Sequence, residues 1–116
     1  IEAPRARERA LKFFRTYLSR KHRDNPERGC VLAALSTELA REGEGVRKYF
    51  AAELEGLVKR RREFFSDSGF TMTEKETLQV LATAVGALIL SRATRGSIIS
   101  DQILDAAFDL VEEEIT

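Results

Sequence analysis

"LATAVGALILSRATRGSIISDQILDAAFDLVEEEIT", residues 81–116, holds more small and apolar side chains than one buried helix face needs. The chain as a whole is 33% charged, so this density is local. No strict alternation of apolar and polar residues runs through it. The spacing is that of two helices broken at "RGS", residues 95–97. On the first of them Leu78, Leu81, Val85, Leu88 and Ile89 share one side and form the expected core face. The opposite side carries Gln79, Thr83, Gly86, Ala87, Leu90 and Thr94. It has no charge and mostly small side chains, including a glycine that costs about 1 kcal/mol of helix propensity. Small side chains at helical spacing let another helix come close.

The last helix repeats the pattern. Asp101, Asp105, Asp109 and Glu112 fall on one narrow stripe, expected to face water. Leu104, Ala107, Phe108, Val111 and Ile115 form one apolar face, and Ile99, Ile103, Ala106 and Leu110 form another. A domain this small builds one core, so the second faces predict a partner. A second copy is the economical choice, because most soluble oligomers are two-fold dimers. Two helices from each subunit would then make a four-helix bundle. The competing reading encloses both helices within the other three.

Working outward, the rest of the chain also reads as helical. A first helix runs from about Pro4 to Arg20, with Ala10, Leu11, Phe14, Tyr17 and Leu18 as its apolar stripe. "HRDNPERG", residues 22–29, is expected to be a turn. A second helix follows from near Cys30 to Arg41, and Gly43 and Gly45 break it. A third spans about Val46 to Phe65, with Val46, Phe50, Leu54, Leu57 and Phe64 at helical spacing. Thr73 with Glu76 fits a capping box and starts the fourth helix, which lasts to about Thr94. Ser100 is expected to cap the fifth, ending near Ile115. The fold class is all-α: one five-helix domain over residues 1–116, its last two helices pairing with a second subunit.

Composition narrows the function. Nineteen basic and nineteen acidic residues balance to zero, so no global field draws the chain to nucleic acid or membrane. The charge is uneven: eight Lys/Arg against two acids in residues 1–23, and six acids with no base in residues 101–116. The longest uncharged run, Thr77 to Ser91, is fifteen residues, too short to span a bilayer. Cys30 is the sole cysteine, which excludes an internal disulfide and fits a reducing compartment. The amino terminus does not read as a signal peptide, and a cytoplasmic protein is expected.

"YLSRKHRDNPERGCVLAALSTELAREGEGVRKYFAAELEGL", residues 17–57, and "VGALILSRATRGSIISDQILDAAFDLV", residues 85–111, together carry a family likeness. In order and spacing they resemble the carboxy-terminal domain of TetR-family transcriptional regulators. The likeness includes the Gly29-Cys30 start of one helix and the Ser100-Asp101 start of another. The resemblance implies that the last two helices dimerise the protein and that the others surround a pocket for a small effector. It also implies that effector binding changes the spacing of two helix-turn-helix heads that precede this domain. This sequence contains no such module, so contact with DNA is expected only through one outside it.

The remaining motifs point to no catalysis. His22-Arg23-Asp24 shares its letters with a kinase catalytic loop, but no glycine-rich loop, partner lysine or Asp-Phe-Gly accompanies it. One histidine and one cysteine assemble no metal-ligand set of known spacing. Cys30 reads as a core thiol, since His22 lies across a glycine-and-proline turn. The bases of the first helix, and "KRRRE" at residues 59–63, read as solvated runs, with Arg61 as a possible exception near an apolar stripe. No cofactor, metal or enzymatic activity is expected. An effector pocket would be mostly apolar, lined by Phe14, Tyr17, Leu35, Phe50, Leu54 and Leu57, each of which also reads as plain core. Glu38 shares a face with Val31 and Leu35. It is either a partly buried carboxylate that needs a hydrogen-bond partner or a cationic ligand, or an edge residue reaching water. The expected partners are thus a second copy and an unidentified small effector. The alternative is a helical homodimerisation module that senses nothing. The proposed dimer contacts are Thr83, Gly86, Ala87, Leu90, Ile103, Ala106 and Leu110.

Overall fold

Thr73 opens the helix on which the others assemble. Its hydroxyl accepts the Glu76 amide at 3.0 Å, and the Glu76 carboxylate accepts the Thr73 amide at 2.9 Å. Two amides that a helix start leaves unmet are thereby satisfied. A computed structural model describes residues 3–28, 30–67, 69 and 71–115; Gly29, named above, lies outside the described residues. Its elements are α1 (Ala3–Tyr17), α2 (Arg20–Asp24), a 3₁₀ turn (Pro26–Arg28), α3 (Val31–Leu39), α4 (Glu44–Asp67), α5 (Glu74–Ala93) and α6 (Ile98–Ile115). The protein is all-helical, with no strand among the described residues. Five helices correspond to the five expected from sequence. The sixth, α2, replaces most of the expected turn: Ser19 caps it, its hydroxyl accepting the His22 amide at 3.1 Å.

The core joins α1, α5 and α6. Ala6, Ala10, Phe14 and Leu18 bring one side of α1 and the residue after it against Val80, Ala84 and Ala87 of α5 and Leu104, Ala107, Val111 and Ile115 of α6. Phe65 at the end of α4 and Met72 before α5 close the cluster. The first ten residues of α4 bury no side chain, so this helix overhangs the core and rejoins it through Val58 and Phe65. Val46 and Phe64, placed on its apolar stripe above, are about half exposed. At the α5–α6 corner Gly96 has a φ of 90°, a left-handed backbone that glycine adopts without steric cost.

The face that α5 buries is not the one its large aliphatics predict. The buried residues are Thr77, Val80, Ala84, Ala87, Leu88 and Ser91, while Leu78 is 43% exposed and Leu81, Val85 and Ile89 are only half-buried. The helix is turned by about one residue, ~100°, from the expected orientation. A helix apolar nearly all round has no side that water alone selects. Close approach of α6 selects the small side chains instead. Ala87, assigned to the subunit interface above, is therefore 7% exposed within the domain.

On α6 the expected core face is the observed one, with Leu104, Ala107, Val111 and Ile115 buried and Phe108 half-buried beneath the Arg15 guanidinium, 5.0 Å from the ring centre. Ser100 does not cap this helix, which begins at Ile98. It is buried, and its hydroxyl donates to the Ser91 carbonyl at 2.6 Å. The acidic stripe is not wholly given to water either, since Asp101 and Asp105 pair with Arg20, and Asp101 also pairs with Arg23.

The orientation of α5 fixes the cost of two substitutions. Ala84→Leu forces a larger side chain into a site 1% exposed and is expected to cost about 1–3 kcal/mol. Leu78→Ala is expected to cost under about 1 kcal/mol, because little of its transfer free energy was gained on folding. Urea titration of both variants measures the ratio, and a larger loss for Leu78→Ala would restore the orientation expected from sequence.

Candidate ligand cavity

A cavity of about 330 Å³ lies between α1, α3, α4 and α5. Its wall is built in layers. Phe13, Phe14 and Tyr17 arrive from successive positions of α1, Leu57 and Phe65 from α4, and Thr77, Val80, Leu81 and Ala84 from the start of α5. The rings are packed against one another rather than loose: Phe13 meets Phe14 edge-on at 5.0 Å and stacks with Tyr17 at 6.2 Å. Such a volume with a mostly apolar wall is at the lower end of small-molecule sites.

The polar groups at its edge come from the α2–α3 junction. His22 Nδ1 lies 2.7 Å from the Tyr17 carbonyl, and the Cys30 amide donates to His22 Nε2 at 3.2 Å. One ring nitrogen must donate while the other accepts, which only the neutral Nδ1–H tautomer does. The fold thus brings together His22 and Cys30, which the sequence placed apart across a turn. Tyr17 packs edge-on to the same imidazole at 4.8 Å. Its hydroxyl is buried and meets no hydrogen-bond partner of normal geometry. Burial pushes the phenol far above its ordinary range, and the neighbouring Cys30 thiol, a weak acceptor, adds to the shift. The group is therefore a neutral O–H donor whose neighbour is only a weakly accepting thiol.

Of the expected lining residues, Phe14, Tyr17 and Leu57 stand on the wall. Leu35, Phe50 and Leu54 do not. Leu35 is 41% exposed, and Phe50 and Leu54 lie half-buried along α4. Glu38 is exposed, so the reading of it as an edge residue is the one that fits. Arg61 does stand apart from its basic run: it lines the cavity, its guanidinium 4.9 Å from the Phe13 ring centre. Periodicity along single helices does not reveal His22, Cys30, Met72 or Thr77 as wall residues, because the wall is made by packing between helices. Among the described residues no group of three or more His, Cys, Asp or Glu side chains is gathered as a metal site requires, and no helix is long and apolar enough to cross a membrane.

A polar collar ties this junction to the other end of the domain. Arg92 of α5 donates to the carbonyls of His22 and Arg23, at 2.9 and 3.1 Å, at the end of α2, where the Asn25 amide also donates to the His22 carbonyl at 3.3 Å. Arg23 reaches on to Ser100 at 3.1 Å and Asp101 at 2.6 Å on α6. Its guanidinium holds the carboxyls of Asp24 and Asp101 below the usual carboxylate range. No family model, curated protein or solved structure matches the chain.

Two outcomes follow from this geometry. Tyr17→Phe removes a buried donor met only by the weakly accepting Cys30 thiol, and is expected to raise the stability of the ligand-free chain by about 1 kcal/mol in urea titration. Asp24 and Asp101, with folded values below their unfolded ones, contribute stability that is present above about pH 4 and lost as pH falls through the lowered midpoints. Arg23→Met is expected to move both carboxyl midpoints upward in an NMR titration and to shift acid unfolding to higher pH. Unmoved midpoints would remove Arg23 as their cause.

Proposed function

We propose that this chain is the effector-binding and dimerisation domain of a TetR-like transcriptional repressor. The observation that carries the reading is the division of α5 into two working sides. Thr77, Val80, Leu81 and Ala84 form cavity wall on one side. About 180° away, Leu90 is 56% exposed, and a Cβ built on Gly86 finds nothing within 4 Å. On α6 the second apolar face is uncovered in part: Ile99 is 52% and Leu110 49% exposed and Ala106 is exposed, while Ile103, expected at the interface, is half-buried against the domain's own core. Thr83 and Leu110 line one shallow groove between the two helices, so both second faces belong to one surface. Exposed apolar area of this extent favours a partner, and a second copy presents the same surface by two-fold symmetry.

The mechanism requires no bond chemistry. A ligand that fits one subunit arrangement better than another shifts their populations by its differential affinity. The wall residues of α5 lie on the helix that also carries the second-subunit face, and the collar of Arg92, Arg23 and Asp101 links the cavity edge to α6. A change at the cavity thus has a short path to the interface. The resemblance supplies the rest: helix-turn-helix heads outside this sequence would read the change on DNA. A homodimerisation module without sensing shares the interface and lacks the ligand response.

Gly86→Arg tests the interface cleanly. The substitution enters open space in the single subunit and replaces a poor helix former, so folding is expected to be retained. Sedimentation equilibrium is expected to give twice the chain mass for the wild type and the chain mass for the variant. An unchanged mass on substitution would place the subunit contact elsewhere.

A further inference from the structure

Resting on the reading of the cavity as an effector site, the kind of ligand follows from which polar capacity its wall leaves unspent. Both nitrogens of His22 are committed to backbone groups. The Thr77 hydroxyl donates to the Thr73 carbonyl at 2.9 Å. What remains is donor capacity: the buried Tyr17 hydroxyl, met only by the weakly accepting Cys30 thiol, which a stronger oxygen acceptor would replace, and the Arg61 guanidinium at the edge. Arginine has donors and no acceptor. Among the described residues no Asp or Glu stands on the wall, and none pairs with Arg61.

The apolar part of the wall is equally selective. Phe13, Phe14, Tyr17 and Phe65 offer ring faces and edges against which a flat ring can pack. Aromatic walls also attract organic cations. Here one such position is already taken, since Arg61 sits over Phe13, and its charge repels a second cation with no carboxylate nearby to offset it. We propose that the cavity binds a flat aromatic compound bearing a hydrogen-bond acceptor, a carbonyl or carboxylate oxygen that receives the Tyr17 hydroxyl, and that it discriminates against organic cations. Arg61 adds preference for the anionic form. This reverses the cationic ligand for which Glu38 was one candidate partner.

Four naphthyl probes of one shape test it by isothermal titration calorimetry on the full chain: methyl 2-naphthoate, 2-naphthoate, naphthalene and 2-naphthylmethylammonium. The two acceptors are expected to bind at least tenfold more tightly than the hydrocarbon and the cation. Tyr17→Phe is expected to weaken the ester at least fivefold and leave naphthalene unchanged. Arg61→Met is expected to weaken the carboxylate at least fivefold and the ester by less than twofold. Urea unfolding of each variant establishes that it is folded before titration. If the cation binds as tightly as the ester, or naphthalene does, the ligand class is wrong while the effector cavity stands. Retention of the ester's full advantage in Tyr17→Phe also overturns the assignment. Failure of all four probes to bind removes both the class and the cavity reading beneath it.

Discussion

Where α5 hands over to α6, the Ser100 hydroxyl donates to the Ser91 carbonyl, and both serines are fully buried. A larger residue at either position would hold the helices apart, and an apolar one would leave a buried carbonyl with one partner fewer. Ala84, Ala87 and Ala107 continue the same close seating along the pair. With little side-chain bulk between them, the two helices present their broad remaining surfaces outward in two directions. One becomes cavity wall and the platform for α1, and the other is left without cover.

The short helix α2 depends on that pairing for its place. Five residues are too few to hold a helix in water by their own hydrogen bonds. Docking supplies what propensity does not: Arg92 meets the terminal carbonyls, and Arg23 reaches Ser100 and Asp101. Ser100 thus serves twice, giving its proton to α5 and accepting from Arg23. Through His22, the same short helix fixes the start of α3 and the edge of the cavity. The cavity's polar rim is therefore a consequence of how α5 and α6 meet, although neither helix contributes its ring nitrogens or thiol.

Unequal satisfaction of polar groups gives the cavity its character. The hydroxyls along α5 are spent on helix carbonyls, as Thr77, Thr83, Ser91 and Thr94 at its C-cap show. Tyr17 is the departure: its ring is needed for packing against Phe13 and His22, and that position leaves the hydroxyl buried. A buried donor with only a thiol to meet it is costly in a domain whose stability is a small difference of large terms. Under the proposed ligand class, an oxygen acceptor on the ligand would recover that cost.

The sequence by itself determined the helices and most of their limits, because caps, glycine breaks and 3.6-residue periodicity are properties of neighbouring residues. The capping box at Thr73 and the core face of α6 were both legible in this way, the second because an acidic stripe leaves α6 a clear polar side. The face that α5 buries was not legible, for it is apolar on nearly every side and periodicity gives such a helix no direction. Phe14, Tyr17 and Leu57 were readable as cavity residues from their own stripes. Leu35, Phe50 and Leu54 have the same periodicity but lie where α3 and the overhanging part of α4 leave the core. Only the tertiary structure decided the rotation of α5, the burial of Ser100, the pairing of Asp101 with Arg23 and the meeting of His22 with Cys30. Each of these is decided by close packing or a hydrogen bond between elements, which the periodicity within a single element does not encode.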